Sequence, residues 1–326
     1  MKKNLIGDAL VTAIFKANGT SVDVNGVDIT YPPIVHKLSK GKGNLAALLR
    51  MLLLFAEVDG DPIRESVAYC RSLEQENYTI TNAQGFKLQG TLYKAAEPTD
   101  KYVFFSHGYN MTGLSDGSRC IRAYNKMGLN VFTVDHRHEG TSEGDYVTFG
   151  AEESKDCIQW LKFLEETFGS DIKVLIHGIS MGSTTAMLTC ANDELPEVVK
   201  CCVADCGYTS AKDEFNHVLR AFHLPKMISA ALALYVTNYF NFVSGYDLGE
   251  TSVPAVAYKI KVPVLMMHGD DDIFVPHTMS EQNFDCLMCE KELHLFPGAQ
   301  HSGSQHYYPE EYYGYCKAYV DKYLVD

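Results

Sequence analysis

Apolar, β-branched runs separated by helix-length stretches constrain this chain more than any other feature. They occupy residues 103–106, 131–135, 174–179, 199–205 and 262–268. A short apolar run without polar alternation is a strand buried on both faces, and such strands alternating with helices build a mostly parallel sheet covered on both sides. The intervening helices are predicted at residues 118–126, 152–168, 182–192 and 278–288, with a last one near 310–323. Residues 78–81 and 88–93 flank Asn82-Ala83-Gln84-Gly85, which reads as an antiparallel hairpin opening the sheet. With 46% hydrophobic and 21% charged residues in 326, the chain has the material for one sizeable core and no signature of disorder.

Two regions depart from the alternation. Residues 1–75 carry helix-like stretches, notably 45–57, whose Leu, Met and Phe content needs a partner surface. They are read as a helical extension ahead of an α/β domain at 76–326. The second region, about 206–261, is inserted between two core strands, above the carboxyl ends where α/β sheets bind ligands, and is expected to form a cap. It is dense in aromatics: Tyr208, Phe215, Phe222, Tyr235, Tyr239, Phe240, Phe242 and Tyr246. Within it, residues 227–246 carry no charge over about 20 residues, the length of a membrane span. Ser229, Thr237, Asn238, Asn241 and Ser244 interrupt that run, so a buried or pocket-facing helix is expected rather than stable membrane insertion.

Charge and cysteine usage narrow the setting. A formal charge of −13 repels polyphosphate backbones, and no Lys/Arg cluster offsets it, which excludes nucleic acid as the expected partner. The ten cysteines are scattered and include the adjacent pair Cys201 and Cys202, so reduced thiols are expected. Cys286 and Cys289 form a C-x-x-C without the second pair that a zinc site needs. The opening Met1-Lys2-Lys3 and its apolar sequel resemble a signal peptide superficially, but Asp8 breaks the run, and a cytoplasmic location is expected.

The chemistry centres on Gly178-Ile179-Ser180-Met181-Gly182. A buried-strand run leads in and a helical pattern leads out, the context that a nucleophile elbow requires. Glycines flank Ser180 because the turn is tight. A serine hydroxyl is a weak nucleophile that needs a base, itself oriented by a carboxylate, and in this arrangement the chain order is serine, acid, histidine. Downstream, one strand ends in Gly269-Asp270-Asp271-Asp272 and another, at 292–296, ends in Pro297-Gly298-Ala299-Gln300-His301. Asp205, which also ends a core strand, competes for the role of acid.

The stretch from His268 to Pro276 resembles the H-G-x-x-D-x-x-V-P pattern of the α/β-hydrolase superfamily, and Gly298-Ala299-Gln300-His301 resembles its G-x-x-H. The resemblance extends over about residues 77–323. It implies an eight-stranded-type α/β-hydrolase sheet with Asp272 as acid and His301 as base. His107-Gly108-Tyr109 is similar to the family's oxyanion loop, so the backbone N–H groups of Tyr109 and Met181 are the expected oxyanion donors. Asp205-Cys206-Gly207-Tyr208-Thr209-Ser210 looks most like bacterial hydrolases grouped with cinnamoyl esterases and acyl thioesterases. Where the family often has D-x-R-G-x-G-x-S, this chain has Asp135-His136-Arg137-His138-Glu139-Gly140-Thr141-Ser142, with His138 in place of a glycine.

These readings imply a serine hydrolase acting on small carboxylic esters or thioesters with an apolar acyl or arylacyl group. No cofactor and no metal are expected; the His136/His138 pair lacks the further ligands that a metal site requires. A peptidase or acyltransferase on the same fold is the alternative, although no propeller-like repeat precedes the catalytic region, which argues against a prolyl-oligopeptidase architecture. A non-catalytic ligand-binding homologue would have lost a triad member, and all three are present.

Overall fold

In the computed structural model the described residues are 20–24 and 27–31, as backbone, together with 61–221 and 225–325. Strands β1 (Thr20–Val24) and β2 (Val27–Tyr31) form a separate two-stranded ribbon. Helix α1 (Asp61–Ser72) leads to β3 (Gln75–Thr81) and β4 (Lys87–Tyr93), then β5 (Lys101–Ser106), α2 (Gly113–Lys126) and β6 (Asn130–Val134). Next come α3 (Glu153–Phe168), β7 (Lys173–Ile179), α4 (Met181–Cys190), β8 (Val199–Asp205), α5 (Ala211–Ala221), α6 (Lys226–Ser244) and the short α7 (Val253–Val256). The chain closes with β9 (Val264–Gly269), α8 (His277–Cys286), β10 (Lys291–Phe296), α9 (Ser304–Tyr307) and α10 (Pro309–Tyr323).

The eight strands β3 to β10 make one sheet in the order β10-β9-β8-β7-β5-β6-β4-β3, with β4 antiparallel to both its neighbours, β3 and β6, and every other pair parallel. This is the mostly parallel α/β-hydrolase sheet with helices on both faces. Strand burial explains the order. Every residue of β6 and β9 is buried, as befits central strands sandwiched by helices, whereas β3 alternates exposed and half-buried positions because it is an edge. Alternate side chains go to opposite faces. Phe104, Ile176, Cys202 and Met266 pack with Trp160 and Leu161 of α3 and Met187 of α4 on one side. Val103, Phe105, Leu175, Val203 and Met267 pack with Ile121 and Tyr124 of α2 and Tyr312 and Tyr319 of α10 on the other. Each such buried Phe, Leu or Met contributes about 1.5 to 3 kcal/mol relative to exposure.

The extension is not helical throughout. The β1–β2 register pairs Val24 with Val27, leaving Asn25-Gly26 between two alternating strands. That dipeptide is a strong hairpin signal. The helix-like stretch at 45–57 lies outside the described residues, while α1 falls within the span read as helical.

The inserted segment is helical where described. The uncharged run forms α6, opened by Pro225 and stopped by Gly245 at φ +79. It is buried on one face only: Ser229, Ala233, Val236, Tyr239 and Phe240 are covered, but Met227 is 85% exposed and Leu234 and Phe242 are also exposed. The expectation of a buried helix therefore holds for that face alone. Among the described residues no helix is long and apolar enough to cross a membrane. All ten cysteines are free. Helix α8 ends at Cys286, so Cys289 lies beyond it instead of continuing the helix.

Candidate active site

Strand β7 ends at Ile179 and α4 starts at Met181, so Ser180 occupies the single residue of the turn. Its φ of +56 and ψ of −119 lie outside the regions comfortable for a side-chain-bearing residue, a strain of order 1–3 kcal/mol that the surroundings must hold. They hold it by hydrogen bonds: the Ser180 N–H donates to Asp205 O at 2.9 Å, and Ser180 O accepts from the N–H groups of Ser183 and Thr184. A Cβ on Gly178 would come within 2.1 Å of Gly182 O, and one on Gly182 within 2.0 Å of Ser106 O. Both flanking glycines are therefore sterically required.

The loops after β9 and β10 bring the two partners to this serine. His301 Nε2 lies 2.8 Å from Ser180 Oγ, and His301 Nδ1 lies 2.6 Å from Asp272 Oδ2. Asp272 Oδ1 accepts from the backbone N–H groups of Phe274 and Val275, both at 2.9 Å. His268 Nε2 is 3.0 Å from Asp272 Oδ2 and 2.9 Å from Val275 O, and its Nδ1 is 2.7 Å from Ser280 Oγ. Burial pushes the Asp272 carboxyl up, but the charge of His301 and the hydrogen bonds from His268 and His301 outweigh it. They hold the group well below the ordinary carboxylate range. His268, a motif residue with no expected catalytic role, thus braces the acid.

The loop expected to supply an oxyanion donor is anchored on both sides of Tyr109. Asp116 Oδ2 accepts from Gly108 N–H at 2.7 Å, and Glu139 Oε1 accepts from Asn110 N–H. With its neighbours tied, the peptide carrying the Tyr109 N–H has little freedom. Met181 is the first residue of α4, and its N–H is one of the donors that a helix leaves without an internal acceptor. Asp116 and Glu139 were not identifiable from the sequence, because neither belongs to a motif whose spacing points to this loop. The substituted glycine position has a clear consequence: His138 adopts φ +62, the backbone conformation that glycine favours, and is held there by Nδ1 against Gly144 O at 2.9 Å. Beneath it Arg137 makes a bidentate pair with Asp156, both contacts 2.7 Å, which fixes the loop to α3.

The other candidates are engaged elsewhere. Asp205 accepts from Tyr312 Oη at 3.0 Å, its Oδ1 has no partner among the described residues, and burial pushes its pKa up to about 7. It is not hydrogen-bonded to His301. Because Tyr312 gives its proton to Asp205, His177 Nε2 must donate to Tyr312 Oη, and His177 Nδ1 accepts from Tyr124 Oη; burial depresses this imidazole to about 3, so it is neutral. His107 Nε2 accepts the N–H of His136, leaving Nδ1–H for Gly108 O. His136 Nε2 pairs with Ser106 Oγ, so His136 and His138 point to separate partners and share no ligand cluster.

Apolar side chains of the inserted segment surround the elbow. Tyr208, Ala211, Val236, Tyr239 and Phe240 form one cluster with Met181, Phe149 and Val275, and Tyr109, Phe215 and Phe274 pack against it. Phe274 meets the His301 ring edge-on at 5.0 Å between centroids, and Phe215 meets Phe149 likewise at 5.0 Å. Phe222 lies outside the described residues.

Comparison with known proteins agrees with this architecture. The model of the prolyl oligopeptidase family matches residues 125–326. The match lies in the part of the chain that carries β6 to β10 and Ser180, and it does not bear on the expectation that no propeller precedes that part. Uncharacterized protein YqkD of Bacillus subtilis is 27% identical over 233 residues, covering 71% of this chain and 74% of that protein. The Pyrococcus furiosus esterase PF2001 superposes with a TM-score of 0.64 at 21% identity, covering 78% of this chain and 93% of that one. Est1E of Butyrivibrio proteoclasticus, solved with ferulic acid, gives a TM-score of 0.56 at 17% identity over 76% of this chain and all of that one, 100%.

Proposed function

The chain belongs to the prolyl oligopeptidase family, and on that footing we propose that it is a serine esterase whose nucleophile, base and acid are Ser180, His301 and Asp272. The observation that carries the reading is the continuous relay from Ser180 Oγ to His301 Nε2 at 2.8 Å and from His301 Nδ1 to Asp272 at 2.6 Å. His301 takes the serine proton as Oγ attacks the acyl carbonyl, and Asp272, already anionic, orients the imidazole and stabilises its cation. The Met181 and Tyr109 N–H groups receive the oxyanion; losing one such donor typically costs about 3 to 4 kcal/mol of transition-state stabilisation. His301 then protonates the leaving group, and water resolves the acyl-enzyme. Residues about 206–261 act as a cap, and their aromatic cluster beside Met181 favours an apolar acyl or arylacyl chain.

A peptidase reading has one specific support, the family model itself. Two measurements separate the possibilities. A fluorophosphonate probe should add one label per chain in the wild type and none in Ser180→Ala; equal labelling of the mutant would remove Ser180 from the mechanism. For a matched acyl group, the p-nitrophenyl ester should turn over faster than the p-nitroanilide by more than their intrinsic reactivities dictate. The reverse ranking would favour the peptidase.

A further inference from the structure

Beside His301, lined by none of the residues of the aromatic cluster, lies a cavity of about 150 Å³. Arg119, Asp116 and Ser115 of α2 line it, together with Gln300, His301 and His306. A cavity of that size holds a benzene-sized group. It touches His301, the residue that must hand a proton to the departing oxygen, which places it within reach of the leaving group.

Arg119 is the anomaly in this cavity. It is half-buried, and its Nη2 is shut off from solvent with no hydrogen-bond partner. No hydrogen bond or ion pair of this side chain occurs among the described residues, whereas the other deeply set arginine, Arg137, is bidentate to Asp156. A guanidinium brings five donors in a fixed fork suited to carboxylate or phosphate, and leaving it desolvated without an anion costs stability. Asp116, the one carboxyl lining the cavity, feels the charge of Arg119 but makes no ion pair with it, and it already accepts from Gly108 N–H. Burial, followed by the charge of Arg119, depresses the pKa of His306, so that ring does not compete as a cation. Arg119 is therefore the cation of this wall.

We propose that this cavity is a leaving-group subsite in which Arg119 binds an oxyanion, a carboxylate or phosphate, carried by the alcohol portion of the ester. The proposal rests on the esterase reading for its role in turnover. The acidic chain repels polyanions at a distance, and a single guanidinium next to the base selects a compact monoanionic or phosphate-bearing group at close range.

The test uses two butyrate esters with the same acyl group: 4-carboxyphenyl butyrate and its methyl ester, 4-(methoxycarbonyl)phenyl butyrate. The ratio of kcat/KM for the anionic over the neutral ester should fall by about tenfold or more in Arg119→Gln, and less in Arg119→Lys, which keeps the charge but loses the fork. In a second arm that needs no turnover, 4-hydroxybenzoate and glycerol 3-phosphate should each be tried for raising the Tm of the full-length wild type. Methyl 4-hydroxybenzoate serves as the neutral control, and the anion that stabilises wild type but not Arg119→Gln identifies the chemistry preferred. Without ligand, Arg119→Gln should be as stable as wild type or more so. An unchanged ester ratio together with equal or absent anion shifts in the two proteins overturns the subsite. If Ser180 resists labelling and neither ester is cleaved, the esterase reading fails instead, and the Tm arm still decides whether Arg119 binds an anion.

Discussion

Replacing Asp272 by asparagine changes one atom and, on the geometry described, reverses the polarity of the relay. Asp272 Oδ1 accepts two backbone N–H groups, those of Phe274 and Val275 at 2.9 Å. An asparagine must therefore seat its carbonyl oxygen there, which turns its NH₂ toward His301 Nδ1. An amide NH₂ cannot accept a hydrogen bond, so the imidazole is forced to carry its proton on Nε2, the atom that has to accept the proton of Ser180. Loss of the correct tautomer lowers kcat by about 10⁴ in a triad of this kind, equivalent to about 5.5 kcal/mol of transition-state stabilisation. Asp205→Asn provides the internal control. Its carboxyl meets Tyr312, not His301, and an asparagine oxygen can still accept from Tyr312 Oη, so the loss should stay below about tenfold. The assay is kcat/KM on 4-nitrophenyl butyrate for both variants, with circular dichroism to confirm that each is folded. A folded Asp272→Asn enzyme within tenfold of wild type, or an Asp205→Asn enzyme that loses more, would refute the reasoning.

Asp205 should also shape the pH dependence of stability. With a folded pKa near 7, it keeps its proton in the native state after the unfolded chain has released its own near pH 4, so stability falls as pH climbs between those values. Denaturant titrations at pH 4.5 and 8 should show Asp205→Asn gaining on wild type at the higher pH, by up to about 4 kcal/mol; a constant difference would argue against the raised pKa. Gly182→Ala should fail to give active enzyme because its Cβ would sit 2.0 Å from Ser106 O, and wild-type turnover from that variant would mean that the elbow is looser than described. Across p-nitrophenyl esters, kcat/KM should climb from acetate to butyrate or hexanoate, each buried methylene adding about 0.8 kcal/mol until the apolar pocket is full. A series led by acetate would reject the apolar-acyl reading.

Local pattern determined much of this protein. The buried strands announce themselves as apolar runs, and β8 was legible over its whole length because all of its residues but Lys200 are covered by the same two layers. The elbow was legible because Gly178, Ser180 and Gly182 are close in sequence and the turn itself demands them. The pairing of β1 with β2 was missed, because the helix-like stretch at 45–57 set the reading of the whole extension. Other features exist only once the chain is folded. Ser180 and His301 are 121 residues apart, His301 and Asp272 are 29 apart, and no periodicity relates them; the parallel sheet brings their loops to one edge. The anchoring of the Tyr109 loop by Asp116 and Glu139, the bracing of Asp272 by His268, and the guanidinium of Arg119, unpaired among the described residues, follow from burial, and burial depends on what the rest of the chain packs against. A charged residue reads the same in sequence whether water or a bare cavity surrounds it, and only the tertiary structure decides between the two.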